Sequence, residues 1–233
     1  MEANRIAIIG AMDEEIGQLL ARMEEQQTVR KAGMEFFIGR LFDRDAVVCK
    51  SGVGKVNAAV CTQLLIDTFH ARVVIFTGVA GALHPELNIG DIVISTDCLH
   101  HDMDATALGF PRGTIPFQET SVFPADSRLI ALAYESGRKL SGLNVLKGRI
   151  LSGDQFIADR ETVSRLYREL GGACTEMEGA AVGQVCFMNQ IPFVIVRSMS
   201  DRADGSAPQN FADFARKAAN HSVSIVENML RGL

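Results

Sequence analysis

The chain lacks a linker. Across its 233 residues no Pro/Ser-rich stretch or break in composition divides it, and 47% hydrophobic residues suffice for one well-buried core, so a single domain over 1–233 is expected. It also lacks a basic stripe. Acids and bases are interspersed and give a formal charge of -5, which disfavours nucleic acid or an anionic membrane surface and leaves a small molecule as the expected partner. No apolar run approaches the roughly 20 residues of a bilayer span. Met1 to Arg5 contains an acid and leads straight into an apolar stretch, with no secretory signal, so no membrane association and a cytoplasmic location are expected. Cysteine pairing is missing as well. Cys49, Cys61, Cys98, Cys174 and Cys186 are odd in number, show no C-x-x-C spacing and sit in apolar surroundings, so they read as small core hydrophobes rather than disulfides or zinc ligands. There is no internal repeat or low-complexity segment.

Two apparent motifs fail on inspection. Lys50-Ser-Gly-Val-Gly-Lys55 looks like a phosphate loop, but Val56 stands where that pattern needs Ser or Thr, and Asn57 stands where a dinucleotide fingerprint needs its third glycine. It reads instead as a glycine turn that lets backbone approach a ligand, followed by a helix to about His70. His100-His-Asp-Met-Asp104 has no further His or Cys at metal-binding spacing and lacks the EF-hand glycine and terminal glutamate, so no metal is expected.

What is present alternates strand and helix. Arg5 to Gly10 is an apolar strand, followed by Met12, Ile16, Leu19, Leu20 and Met23 at helical spacing, with Asp13, Glu14 and Glu15 in the first turn. Three acids there complement the helix dipole or, at a strand's carboxyl end, face a ligand. Glu35 to Leu41 and Asp45 to Ser51 read as antiparallel strands, so the fold is α/β with a mixed sheet. Val73 to Thr77 is a buried strand entering Gly78-Val-Ala-Gly81, a turn of small residues that serves close packing or a ligand. Asp91 to Ser95 continues the sheet. The segment from Ala105 to Pro124 has no period but carries Leu108, Phe110, Ile115 and Phe117, so it reads as a loop that packs on a partner and covers the site. Beyond it come a helix over Ser127 to Leu140, a strand over Val145 to Ser152, a loop Gly153-Asp-Gln-Phe-Ile157 and a helix over Asp159 to Leu170. Phe156 in that loop is a core plug or a stacking surface for a flat ligand. Pro208 to Leu233 forms a closing amphipathic helix with Phe211, Phe214, Ala218, Val223 and Met229 inward.

The stretch from Cys174 to Asp201 organises the rest. Ala180, Ala181, Val182 and Val185 make an apolar helix, and Ile191 to Val196 a buried strand. A helix between two strands of an open sheet starts and returns at the same carboxyl edge, so Glu178 and Asp201 are expected to face one crevice.

Ile9-Gly-Ala-Met-Asp-Glu-Glu15, Lys50-Ser-Gly-Val-Gly-Lys55, Ser152-Gly-Asp-Gln-Phe-Ile157, Glu176-Met-Glu178 and Arg197-Ser-Met-Ser-Asp201 occur in this order over nearly the whole chain. Together they resemble the 5′-methylthioadenosine/S-adenosylhomocysteine nucleosidases of the purine nucleoside phosphorylase superfamily. The resemblance implies a three-layer α/β/α sandwich around a mixed, partly barrel-like sheet, a homodimer, and hydrolysis of an adenine N-glycosidic bond without metal or organic cofactor. It also implies roles. Asp201 protonates adenine N7, with Ser200 orienting it; Phe156 stacks on the base and Ile157 meets it through backbone. Glu178 and the Met177 backbone hold the ribose hydroxyls, Glu15 activates water, and Met12, Val53 and Phe211 line the sugar and thioalkyl pocket. The loop bearing Ala105, Leu108 and Pro116 reaches the partner's pocket. Where the family often has serine touching the nucleophilic water, this chain has Val79, which shifts weight to Arg197 and Glu15, with Glu176 behind them.

Chemically the assignment is coherent, because adenine leaves poorly as an anion and protonation at N7 assists it, while carboxylates stabilise the cationic sugar. Three other readings compete. A phosphorolytic purine nucleoside phosphorylase needs a cationic phosphate site where this chain has Asp13, Glu14 and Glu15. A futalosine or AMP hydrolase differs at the 5′ group, and a silent adenosine sensor would lack an acid or base carboxylate.

Overall fold

The computed structural model describes residues 5–201 and 207–233, the side chains of 207–219 excepted. In chain order the elements are β1 (Arg5–Gly10), α1 (Asp13–Leu20), β2 (Glu24–Lys31), β3 (Met34–Leu41), β4 (Arg44–Lys50), α2 (Lys55–Asp67), β5 (Ala71–Ala82) and β6 (Ile92–His100). After a short 3-10 turn at Thr106–Leu108 follow β7 (Val122–Pro124), α3 (Ser127–Arg138), β8 (Val145–Ser152), α4 (Arg160–Leu170), β9 (Gly172–Glu176), α5 (Gly179–Met188), β10 (Phe193–Asp201) and α6 (Ala207–Gly232).

Alternation along the strands decides the layering. Ala7 and Ile9 of β1, Val47 and Cys49 of β4 and Phe76 of β5 turn to one face, where Ala58, Cys61 and Leu65 of α2 and Ala180, Val182 and Cys186 of α5 meet them. Their neighbours Ile6, Ile8, Val48 and Ile75, with Val194 and Val196 of β10, turn to the other, against Ile16 and Leu19 of α1, Leu129 and Ala133 of α3 and Val226, Met229 and Leu230 of α6. Each such side chain contributes about 1.5–3 kcal/mol by leaving water, so a one-residue slip of a central strand would reverse both faces at once. The expected three-layer α/β/α sandwich is therefore borne out. All five cysteines are free and buried.

The sheet runs β10-β6-β8-β9-β5-β1-β4-β3-β2, and β10 also pairs with β5. That extra pairing closes β5, β10, β6, β8 and β9 into a small barrel, leaving β1, β4, β3 and β2 as an open wing. Pairing is parallel for β5 with β1 and β10, and antiparallel for β6 with β10 and β5 with β9.

Barrel closure corrects several expectations. Gly78 to Gly81 is not a turn but the second half of β5, held by β10 as far as the Asp201↔Gly81 pair. Small residues are needed there for space: a Cβ on Gly78 would lie 2.5 Å from Glu15 Oε1 and 3.0 Å from Arg197 Nη1. The strand β9 within the 174–201 stretch was not expected. It pairs antiparallel with β5, so Glu178 and Asp201 do not meet through a parallel crossover. They meet because Gly81 pairs with Thr175 on one side and Asp201 on the other. β2 also went unforeseen, since every residue in it is exposed and it carries no apolar alternation. In α6, Val223 and Met229 are buried as expected, whereas the expected inward positions of Phe211, Phe214 and Ala218 lie outside the described residues.

Candidate active site

Three acids converge on one cavity of about 290 Å³ from three different elements. Glu15 comes from the first turn of α1, Glu178 from the N-cap of α5 and Asp201 from the last position of β10. All three are buried. The remaining expected residues on the wall are Met12, Val53, Val79, Phe156, Ile157, Glu176, Met177 and Ser200. Ala11, Ala80, Gly81, Gln155 and Thr175 line it as well and were not expected. All five lie within or beside the recognised motifs or in the small-residue half of β5, so adjacency was the available signal.

Glu15 is held by backbone. Its Oε2 accepts the N–H groups of Ala11 at 2.6 Å and Met12 at 3.0 Å, and its Oε1 accepts that of Val79 at 3.1 Å. Val79, at the position where the resemblance implies serine, thus serves Glu15 through its main chain, which valine supplies as well as any residue. Burial raises the Glu15 pKa, against the opposing charge of Arg197 and the three amides, and so makes the carboxylate a stronger base than an exposed one. The three acids that open α1 divide their tasks: Asp13 points to solvent and pairs with Lys50 at 2.7 Å, while Glu15 turns inward.

Arg197 does not line the cavity. It is 1% exposed, with its guanidinium 3.9 Å above the Phe76 ring and Nη2 2.6 Å from Glu176 Oε2. Burial opposes its charge, but Glu176 and Glu15 outweigh burial and raise its pKa. It is a buried counter-charge behind the acids rather than a wall residue. Glu176 also accepts the hydroxyl of Ser152 and the N–H groups of Gly179 and Glu178. These donors anchor its carboxylate at the start of α5, where the helix dipole favours a negative charge.

Glu178 Oε1 accepts the Gly54 N–H at 2.7 Å. Burial first, and the nearby Glu176 charge second, raise its pKa to about 7, against the Gly54 amide and Arg197. Asp201 Oδ2 accepts the Ser200 hydroxyl at 2.8 Å, which orients the carboxyl into the cavity. Phe156 is 58% exposed and lines the cavity, so it is not a core plug.

Other expected residues lie elsewhere. Ala105, Leu108 and Pro116 do not line this cavity, and Leu108 is 70% exposed. Phe211 lies outside the described residues. The His100-His-Asp segment is occupied structurally, with His100 Nε2 3.0 Å from Gln184 Oε1 and Asp102 paired with Lys55. Among the described residues no group of three His, Cys, Asp or Glu side chains could hold a metal ion, and no helix is long and apolar enough to cross a membrane.

This geometry can be set beside known proteins. The family model described as the phosphorylase superfamily matches residues 5–231. A 5′-methylthioadenosine/S-adenosylhomocysteine nucleosidase of Marinomonas sp. (strain MWYL1) is 43% identical over 230 residues, covering 97% of this chain and 98% of that one. The chain belongs to the phosphorylase superfamily, among its 5′-methylthioadenosine/S-adenosylhomocysteine nucleosidases. The same fold recurs in the nucleosidase of Neisseria meningitidis in complex with methylthio-immucillin-A, at TM-score 0.94 and 38% identity over 99% of this chain and 100% of that one. A futalosine hydrolase of Helicobacter pylori is similar at TM-score 0.93 and 33% identity, over 99% of both chains.

Proposed function

We propose that this enzyme hydrolyses the N-glycosidic bond of 5′-methylthioadenosine and S-adenosylhomocysteine, releasing adenine and the 5′-thioribose. One observation carries the reading: four buried carboxylates, Glu176 with Glu15, Glu178 and Asp201, surround a largely apolar cavity whose described wall holds no lysine or arginine. A phosphate nucleophile would enter as an anion against these acids with no cation on the wall to receive it. Water suffers no such repulsion, and the apolar wall suits a thioalkyl group better than a charged 5′ substituent.

In the reaction the carboxylate of Glu15 takes a proton from water as the oxygen approaches C1′. The C1′–N9 bond breaks, and Asp201 delivers its proton to adenine N7, so the base leaves neutral. Glu178 holds the ribose hydroxyls, Met177 supports them through backbone, Phe156 stacks on adenine and Ile157 meets its edge. Arg197 keeps Glu15 and Glu176 in place from behind. As the sugar turns cationic, the surrounding acids stabilise it without having to reorient. Met12 and Val53, with Phe211, cover the sugar and thioalkyl end.

The working unit in this proposal is a homodimer in which the 105–117 loop completes the neighbour's pocket. That loop presents Leu108 and Phe117, which is 90% exposed, and Val56 and Met188 add further exposed apolar surface. In this reading the enzyme serves methionine salvage in the cytoplasm. An adenine-release assay on methylthioadenosine, with and without phosphate, tests the reading. Equal rates in both are expected, and phosphate-dependent turnover would overturn it. Faster release from futalosine than from methylthioadenosine would reassign the 5′ group.

A further inference from the structure

Beside the cavity, three residues that do not line it close a hydrogen-bonded ring. Lys55 Nζ donates to both carboxylate oxygens of Asp102, at 2.6 and 2.7 Å. Asp102 Oδ2 also accepts the Asp154 N–H at 3.0 Å, and Asp154 Oδ1 accepts the Lys55 N–H at 2.8 Å. The ring joins the first residue of α2, the turn after β6 and the loop after β8, segments far apart in the chain.

Val53, two residues before Lys55, lines the cavity, as do residues just after Asp154. Gly54, adjacent to Lys55, donates to Glu178. Phe156 and Ile157 follow Asp154 by two and three residues and line the cavity. The loop also rests on the same base: a Cβ on Gly153 would lie 2.5 Å from the His101 ring and 3.1 Å from Asp102 Cβ. Gly54 has φ +98, and a Cβ there would come within 3.2 Å of Asp154 Oδ1, so the turn and the loop are pressed together. The Lys55 and Asp102 side chains are 22% and 16% exposed, which shields their pairing from water more than a surface pair would be. Burial alone would raise the Asp102 pKa, but the bonds from Lys55 and Asp154 outweigh it and hold the group ionised.

We infer that Lys55, Asp102 and Asp154 are positioning residues that fix the distance between the sugar-side donor Gly54 and the base-side loop 153–157. The inference rests on the proposed site, in which Glu178 holds the sugar and Phe156 and Ile157 the base. Glu15 is held by the amides of Ala11, Met12 and Val79, none of which belongs to the ring. Loosening the ring therefore weakens the grip on sugar and base in ground state and transition state alike, which raises KM and spares kcat.

The test compares Asp102→Asn, Lys55→Met, the double variant and Asp102→Glu in adenine-release kinetics and amide hydrogen exchange. Each single variant should raise KM about tenfold, equivalent to about 1.4 kcal/mol, with kcat within about threefold of the parent. The double variant should be no worse than either single one, because both break the same ring, and Asp102→Glu should recover part of the loss. Exchange should quicken in peptides covering 52–57 and 153–158 and stay unchanged in β1 and β10. A KM within twofold of the parent, additive single effects, or quickening spread evenly over the chain would overturn the inference. Exchange needs no turnover. A parent chain that released no adenine would thus defeat the proposed function, while the exchange pattern alone would still decide whether the ring holds the two segments.

Discussion

Gly78→Ala should disable the base without replacing any titratable group. The added Cβ would sit 2.5 Å from Glu15 Oε1, 2.9 Å from Cδ and 3.0 Å from Arg197 Nη1. Ordinary contact begins near 3.4 Å, so Glu15 must retreat by 0.9 Å, the difference between 3.4 and 2.5 Å. It has little room to do so, since three backbone amides at 2.6, 3.0 and 3.1 Å already fix both its oxygens. The Val79 bond, on the strand that carries the new methyl, should be lost first. A displacement of about 1 Å at a catalytic group lowers rate by roughly 10²-fold. Steady-state adenine release should therefore show kcat down by about that factor with KM changed far less, because in the proposed mechanism Glu15 serves the water rather than the nucleoside. Overpacking should cost about 1–3 kcal/mol, a fall of several degrees in Tm for a chain of this size, which leaves it folded at assay temperature. Gly17→Ala is the control: a Cβ there meets nothing within 4 Å, so activity should be unchanged and stability equal or slightly higher. A Gly78→Ala enzyme with kcat within threefold of the parent would refute the claim that this contact sets Glu15.

Asp201→Asn should lower kcat by about 10²- to 10⁴-fold, the usual worth of a general acid, while leaving Tm close to the parent's; near-normal turnover would remove Asp201 as the acid. Arg197→Met should destabilise the fold by about 3–5 kcal/mol, since it leaves Glu15 and Glu176 buried without their cation, and a shift below about 1 kcal/mol in urea unfolding would show that the acids do not depend on it. The contribution of Glu178 to the stability of the ligand-free chain should fall as pH rises from 4.5 to about 7, because over that window folded Glu178 retains a proton that the unfolded chain has released. His100, His101 and His221, whose pKa values burial lowers, act in the opposite direction. Glu178→Gln should remove that contribution, and melting profiles of the two proteins that run parallel over the window would contradict the raised pKa.

Much of this site was legible because its chemistry is carried by short local motifs. Glu15, Glu178 and Asp201 each sit where an element begins or ends, and their identities needed no tertiary information. The strands of the core were equally legible, since β1, β3, β4 and β8 show their faces by alternation or by apolar runs of strand length. β2 and β9 were not. β2 has no buried face to leave a pattern, and β9 is five residues inside a stretch whose small and polar side chains match either a loop or a helix start.

Tertiary structure alone decided what those residues do together. Gly78 to Gly81 is composed like a turn, and only the closing of β5 against both β10 and β9 makes it a strand, because long-range pairing outweighs the local preference of glycine for turns. Arg197 belongs to a recognised motif, yet its role as a buried counter-charge depends on carboxylates 21 positions away in Glu176 and across the sheet in Glu15. The Lys55, Asp102 and Asp154 ring spans |i−j| of 47, 52 and 99, distances at which no local spacing carries a signal. The sequence by itself determined the core strands and the acids, which follow from residue type and short-range period, while the layers and the kind of ligand followed from the resemblance that its motifs carry. That the acids share one cavity, and what holds each one there, followed from barrel closure, because only that brings the ends of α1, β5, β9 and β10 together.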